Sequence, residues 1–307
     1  MAITIPCETD SVLDLDEYVA YVRDNVDFRD EDSLADSAPK LRQLANNRDL
    51  IVDRINRELD DWDTFQTDNT YTSQTVMLAV GKDFYVRANM WLPPAALPQD
   101  REWQDKLFFY RVAHDHNFSF LTVGHLGPGY ETTIWEYDRD GVKGELGEHV
   151  ALRLLERTVL DEGKVMLYRA CRDIHSQEHP RECSISINLV ASPPEVHQTT
   201  QYLFDTDEGK IMSRLQKAVS GHVFLCSLAQ HIGNGATPPI LEKILHTHYS
   251  SRVRVAAATA LAALEPAAAR PDVWRSVLAD TDESVRRIAV RALDAQVRSP
   301  EASIMRR

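Results

Sequence analysis

RVAHDHNFSFLTVGHLGPGYETTIWEYD, residues 111–138, is the stretch whose reading decides the fold. It enters on His114-Asp115-His116, runs through Phe118–Gly124, turns at Gly127-Pro128-Gly129 and leaves through Glu131–Asp138. The two runs on either side of the turn are short and rich in Thr, Val, Ile and aromatics, which predicts strands. Residues two apart on a strand face the same side. His114 and His116 can therefore aim two imidazoles at one ion, and imidazole suits Zn, Cu, Fe and Ni. The same spacing also arises by chance in a chain with 11 histidines. His246-Thr247-His248 repeats it at the end of an expected helix, where the two side chains diverge and a surface or capping role is expected.

Outward from this stretch the same texture continues on both sides. TSQTVMLAV (72–80), FYVRANMWL (84–92), KLFFYRVA (106–113), HVALRLLERTVL (149–160), KVMLYRA (164–170) and CSISINLVA (183–191) read as further strands. Turn signals separate them at Gly81-Lys82-Asp83, Pro93-Pro94, Asp138–Gly141, Asp161-Glu162-Gly163 and Ser192-Pro193-Pro194. Many short strands at regular spacing predict a sandwich or barrel. His175, between the last two runs, is the candidate third ligand. Asp173, Gln177 and Ser186 are candidates to orient the imidazoles, since metal-bound histidines need a partner on the second nitrogen.

The period changes toward both ends. Leu15, Val19 and Val22 share a helical face, Ser37-Ala38-Pro39 marks a helix start, and Leu41, Leu44, Ile51, Ile55 and Leu59 continue with a break at Asn46-Asn47. Residues 1–68 are therefore expected to be an N-terminal helical segment. At the other end SSRVRVAAATALAAL (250–264) and DESVRRIAVRALDAQ (282–296) align at an offset of 32, with Val253 over Val285 and Leu261 over Leu293. Each follows a proline-led helical run. With a helix expected over 211–232, these units predict an α-helical repeat domain over 208–307, similar to short HEAT repeats.

The net charge is -13, and residues 1–68 carry -11 of it with 18 acidic and 7 basic side chains. That balance opposes a nucleic-acid partner, which needs clustered Lys and Arg. It fits a solvated helical face, with docking of a basic partner as the other reading. No apolar run reaches the roughly 20 residues of a membrane span. The N-terminus lacks a basic-apolar leader, so a cytoplasmic protein is expected. Cys7, Cys171, Cys183 and Cys226 show no CxxC spacing and are expected as free thiols.

The stretch 111–138 resembles the first cupin motif, and most closely the three-histidine cysteine and thiol dioxygenases, in which an HDH pair leads to an ET-bearing strand. GKVMLYRACRDIHSQEHPRECSISINLVASPP (163–194) resembles the second motif of that family, and FYVRANMW (84–91) its arginine strand. The resemblance implies an α+β fold in which a jelly-roll cupin barrel over 69–207 is flanked by the two helical segments. It implies a non-haem Fe(II) oxygenase acting with O2 on a small carboxylate-bearing, amino-acid-like substrate. His114, His116 and His175 would hold the metal, Arg87 and Tyr85 would meet the substrate, and Ser186, Asn188 and Glu131 would line the site, Glu131 as a fourth ligand or none. Arg87 has a second reading, facing solvent or paired with an internal acid such as Glu136.

The chain also departs from that pattern. Ser119, Phe120 and Leu121 stand where many cupins carry a glutamate, and Leu121 stands near the dioxygenases' cross-linking cysteine. Ser186, Asn188 and Val190 replace their late SxHxY arrangement, which puts cysteine oxidation itself in doubt. Two alternatives remain. One is a non-redox metal-dependent cupin, an isomerase or hydrolase. The other is a non-catalytic barrel whose helical repeats bind a protein or peptidyl partner.

Overall fold

The computed structural model describes residues 3–61, 66, 69, 71–215 and 217–298. The chain divides into two compact units, Met1–Leu215 and Gln216–Arg307. The first begins with β1 (Ile3–Ile5), α1 (Leu15–Asn25), α2 (Glu31–Asp36), α3 (Ala38–Ala45) and α4 (Leu50–Asp60). Then follow β2 (Thr75–Val80), β3 (Phe84–Trp91), α5 (Pro98–Phe108), β4 (Ala113–Asp115), β5 (Phe120–Leu126), β6 (Glu131–Glu136) and β7 (Arg153–Val159). It ends with β8 (Val165–Tyr168), β9 (Asp173–Gln177), β10 (Ser184–Ala191), β11 (Gln201–Asp205) and β12 (Lys210–Leu215).

These strands make two six-stranded sheets, ordered β1-β8-β5-β10-β3-β2 and β12-β11-β4-β9-β6-β7, with every neighbouring pair antiparallel. From β3 to β6 and again from β7 to β11 the chain crosses from one sheet to the other at each step. This is the winding of a jelly roll, and the expected α+β class holds. The turn in the opening stretch is built on Gly127 and Gly129, with φ of 82° and 76°. A Cβ on Gly129 would stand 2.0 Å from the Leu160 carbonyl oxygen, so no other residue fits there.

The first sheet is buried on both faces, which is why β10 is buried at all eight positions and β5 at six of seven. Its inner face presents Tyr85, Arg87, Asn89 and Trp91 from β3 and Ser186, Asn188 and Val190 from β10. Its outer face presents Val86, Ala88, Leu121, Val123, Leu167, Ile187 and Leu189 to Tyr18, Val22, Leu34, Leu41 and Leu44 of the N-terminal helices. Each of those helical side chains is at most 1% exposed. Burial of this kind stabilises by about 1.5–3 kcal/mol per large aliphatic side chain. The N-terminal helices therefore form one hydrophobic core with the outer face of the first sheet. The expected junction at residue 68 lies outside the described residues.

Two sequence expectations are corrected here. Residues 106–108 of the run KLFFYRVA end α5, which starts on Pro98 and buries Gln104 and Phe108; the strand begins only at Ala113. The proline-led start and the helical spacing of 104 and 108 outweigh the aromatic β preference. The expected break at 207/208 falls inside the β11–β12 hairpin. Residues 210–215, expected at the head of a helix, pair with β11. Ile211 is fully buried beside Tyr202 and Phe204, so sheet packing decides that segment.

The second unit contains α6 (Lys217–Ile232), α7 (Thr237–Thr247), α8 (Ser251–Leu264), α9 (Arg270–Val277) and α10 (Glu283–Arg298). Val253 and Ala257 of α8 recur as Val285 and Ala289 of α10, all at most 1% exposed. The polar contacts repeat at the same offset. Arg254 Nη1 donates to the carbonyls of His248 and Tyr249 at 2.9 and 3.0 Å, and Arg286 Nη1 to those of Asp280 and Thr281 at 2.6 and 2.9 Å. Arg254 also grips Asp280 through two bonds of 2.7 and 2.8 Å. One repeat earlier the equivalent positions hold His222 and His248, whose rings lie 3.3 Å apart, nitrogen to nitrogen. The repeat is thus one of contacts as well as of sequence.

Candidate metal centre

β4 lies between β11 and β9 in the second sheet, and the register sets His114 directly opposite His175. His116 follows two residues on and returns to the same face. The three ring centroids are 4.6, 4.9 and 5.1 Å apart, and one ligand nitrogen from each lies within 4.8 Å of the others. His116 Nε2 and His175 Nε2 are 3.0 Å apart. Two imidazoles bound to one ion at about 2.1 Å and near a right angle would sit about 3.0 Å apart. That one pair stands at the separation of two ligands on a common ion. Among the described residues no carboxylate or thiol joins this group.

The second ring nitrogens are engaged. His114 Nδ1 meets the Val112 carbonyl at 2.9 Å, Gln201 Nε2 lies 3.1 Å from His116 Nδ1, and Gln177 Nε2 lies 2.7 Å from His175 Nδ1 and 3.4 Å from its Nε2. Burial drives all three imidazoles below the ordinary histidine range, His114 to about 4 and the other two well below it. Neighbouring imidazoles and the Arg87 charge push in the same direction. At neutral pH the rings are uncharged, the state in which histidine ligates metals. Phe118 and Phe120 pack on His116 at 4.7 and 5.1 Å, and Tyr168 on His175 at 4.6 Å, so the rings sit in an aromatic wall.

A pH dependence follows. In the unfolded chain each imidazole takes up a proton near pH 6.5, whereas folded His114 does so only near 4, so falling pH favours unfolding across that window. The metal-free protein should lose roughly 2 kcal/mol between pH 7 and pH 5 from His114 alone. Denaturant titrations at those two pH values measure this, and equal midpoints would contradict neutral buried rings.

Arg87 points into the same interior from β3 and is 7% exposed. Its guanidinium lies 4.6 Å from the Tyr71 ring, its Nε has no hydrogen-bond partner, and no carboxylate among the described residues pairs with it. The alternative pairing with Glu136 is corrected. Glu136 accepts from Arg169 and Arg172 at 3.1 and 2.7 Å and is also held by Arg153. Burial pushes its carboxyl up, but the Arg172 and Arg153 bonds outweigh that and hold it at about 2. Tyr85 faces inward beside Arg87, its hydroxyl against that of Tyr71.

Glu131, considered as a fourth ligand, is corrected too. The alternation of β6 turns Thr132, Ile134 and Glu136 inward. It leaves Glu131 half-exposed, 3.2 Å from Arg157. Ser186 and Asn188 lie in the interior but serve its wall: Ser186 accepts from Trp91 Nε1 at 3.0 Å and Asn188 from Thr122 Oγ1 at 3.1 Å. Asp173 is spent on Arg169 at 2.5–3.0 Å. The residue that sequence reading missed is Gln201. Leu203 pairs with His114, so Gln201 falls opposite His116, a relation visible only once β11 is placed beside β4.

Residues 227–304 match the family model for HEAT repeats. No curated protein matches the chain. Among solved structures, hydroquinone 1,2-dioxygenase PnpCD in complex with Cd2+ and 4-hydroxybenzonitrile is 12% identical over 41% of this chain and 69% of its own, with a TM-score of 0.26. Hydroquinone 1,2-dioxygenase from Sphingomonas sp. TTNP3 with 4-hydroxybenzoate bound is 8% identical over 42% and 73%, with a TM-score of 0.27. A conserved protein with a double-stranded β-helix domain from Klebsiella pneumoniae is 13% identical over 45% and 88%, with a TM-score of 0.23. Among the described residues no helix is long and apolar enough to cross a membrane.

Proposed function

We propose that the first unit is a mononuclear non-haem Fe(II) oxygenase acting with O2 on a small carboxylate-bearing, amino-acid-like substrate. The observation that carries this reading is one interior holding, among the described residues, both a carboxylate-free set of three neutral histidines and a buried guanidinium without an acid. His114, His116 and His175 would hold the ion. Fe(II) there supplies the electron chemistry with O2 that no side chain offers. Because all three donors are uncharged, they leave the ion's charge intact and favour an anionic substrate beside it.

The chain's own residues perform the remaining tasks. A substrate carboxylate would satisfy Arg87 with two parallel hydrogen bonds and fix the substrate's orientation. The Tyr71 ring, its hydroxyl bonded to that of Tyr85, lies beside the guanidinium, and Asn188 pairs with Arg87 across β3 and β10. Phe118, Phe120 and Tyr168 exclude water around the imidazoles, which strengthens every charge interaction within. The helical repeats supply a surface suited to a protein or peptidyl partner.

Iron-loaded protein should take up O2 only when a small carboxylate is added, and the methyl ester of that substrate should be inert. Metal-dependent turnover without O2 uptake would assign the site to an isomerase or hydrolase. A protein that retains no divalent metal would leave the barrel as a scaffold.

A further inference from the structure

We propose that α6 is the contact surface of a symmetric dimer, in which the α6 helices of two copies of this chain pack antiparallel and cover each other's exposed apolar stripe. The metal site plays no part in this inference.

The repeat itself shows what is uncovered. Positions 32 apart are equivalent, so Val253, Ala257, Ala260 and Leu264 of α8 correspond to Gly221, Leu225, Leu228 and Ile232 of α6. In α8 the first three of these are at most 1% exposed and belong to the core of the unit. In α10, Val285 and Ala289 are fully buried at the same positions. On α6, Leu225 is 60% exposed, Leu228 37% and Ile232 72%, with Phe224 beside them at 65%. The other side of α6 already has its place, since Cys226 is buried in the same core with Val223 and Ala229 packed on it. Apolar residues on both sides are the pattern of a buried helix. A repeat stack stays soluble by ending on a polar face, whereas this one begins on the exposed Phe, Leu and Ile side chains of α6.

Geometry, charge and area together make a second copy the occupant. Positions 221, 225, 228 and 232 are spaced by four, three and four residues, which is the seam of a two-helix coiled coil. A two-fold axis level with residues 226 and 227 would set Leu225 against the partner's Leu228 and Ile232 against the partner's Gly221. A Cβ on Gly221 would meet nothing within 4 Å, so that position is an open notch able to receive a large side chain. A parallel pair would instead set Gly221 against the partner's Gly221 and leave a gap. The antiparallel stripe is complementary to itself, as a two-fold interface requires. The chain carries a net charge of -13, yet α6 contains no Asp or Glu, so two copies can meet here without opposing carboxylates. The four exposed side chains offer roughly 300–400 Å² of apolar surface per copy. With their flanks, a pair would bury on the order of 1,000 Å², the lower edge of specific interfaces. That size suits a reversible dimer with a Kd on the order of 1–100 μM.

Sedimentation of the full chain from about 1 to about 300 μM should show the mass rising from one chain toward two. Leu225→Asp combined with Leu228→Asp should weaken the dimer more than tenfold with unchanged circular dichroism, because both side chains are exposed in a single copy. Gly221→Leu has room in one copy but fills the notch. It should weaken the dimer at least tenfold without lowering Tm, since glycine inside a helix is itself destabilising. A Gly221→Cys, Ile232→Cys double variant should cross-link two chains on mild oxidation, and neither single variant should. Within one chain these positions are about 16 Å apart along the helix, too far for a disulfide. Wild-type protein that stays monomeric at the highest concentration would overturn the proposal and leave the stripe to a different protein. A dimer indifferent to the two aspartates, or one that gives no cross-link between 221 and 232, would overturn it as well.

Discussion

His175→Ala protein should be folded and carry at most a trace of the divalent metal that the wild type holds. His175 supplies one of three converging nitrogens and is the cross-strand partner of His114. Loss of a partner that merely orients a ligand costs about 10–100-fold in metal affinity, so loss of a ligand should cost more than about 100-fold. The fold should survive, because the ring lies inside a barrel wall held by the pairings of β9 with β4 and β6. Truncating one imidazole should cost no more than the roughly 1–3 kcal/mol of an ordinary destabilising substitution. His246→Ala and His248→Ala should leave metal content unchanged, since those residues belong to the second unit and His248 pairs with His222. Elemental analysis alongside circular dichroism makes the comparison, and full metal content in His175→Ala would end the three-histidine account.

Arg87→Met should separate stability from function. A buried cation with no acid partner is costly, and tyrosine contact offsets only part of that cost. Replacing buried ionic groups with apolar ones of similar volume is often stabilising by about 1–4 kcal/mol. In the absence of substrate, Arg87→Met is expected to be more stable than wild type by about 1–2 kcal/mol and to keep its metal. Carboxylate substrates should lose at least about 2 kcal/mol of binding, more than tenfold, because a charge-assisted bidentate contact disappears. Arg87→Lys should recover only part of it, since an ammonium cannot reproduce the fork. If Arg87→Met turned over substrate with an unchanged KM, the guanidinium would have another purpose.

Local patterns made much of this architecture legible. The period-two runs around His114–His116 and the glycine turn at 127–129 located the strands of a sandwich or barrel, and the resemblance to the cupin motifs made it a jelly roll. The 32-residue offset located repeats that share backbone contacts through Arg254 and Arg286. What failed did so for reasons of context. KLFF carries β-favouring residues, but Pro98 and the buried face of Gln104 and Phe108 commit it to a helix. Ile211 fits a helical period, yet it completes a sheet against Tyr202 and Phe204.

In the candidate site, strand alternation grouped His114 with His116, and His175 joined them through its place before a later strand and the resemblance to the second cupin motif. Gln201 was invisible, since its place beside His116, 85 positions away in sequence, depends on the pairing of β11 with β4. Glu131 misled because a lone acid near a motif looks like a ligand until its face of the strand is known.

Metal analysis of wild-type protein purified without added ions, paired with O2 uptake on a panel of small carboxylates, tests the central claim most directly. The account predicts iron at close to one ion per chain and O2 consumption that requires both the iron and a free carboxylate. A protein that holds no divalent metal, or that turns over its substrate without consuming O2, would contradict it.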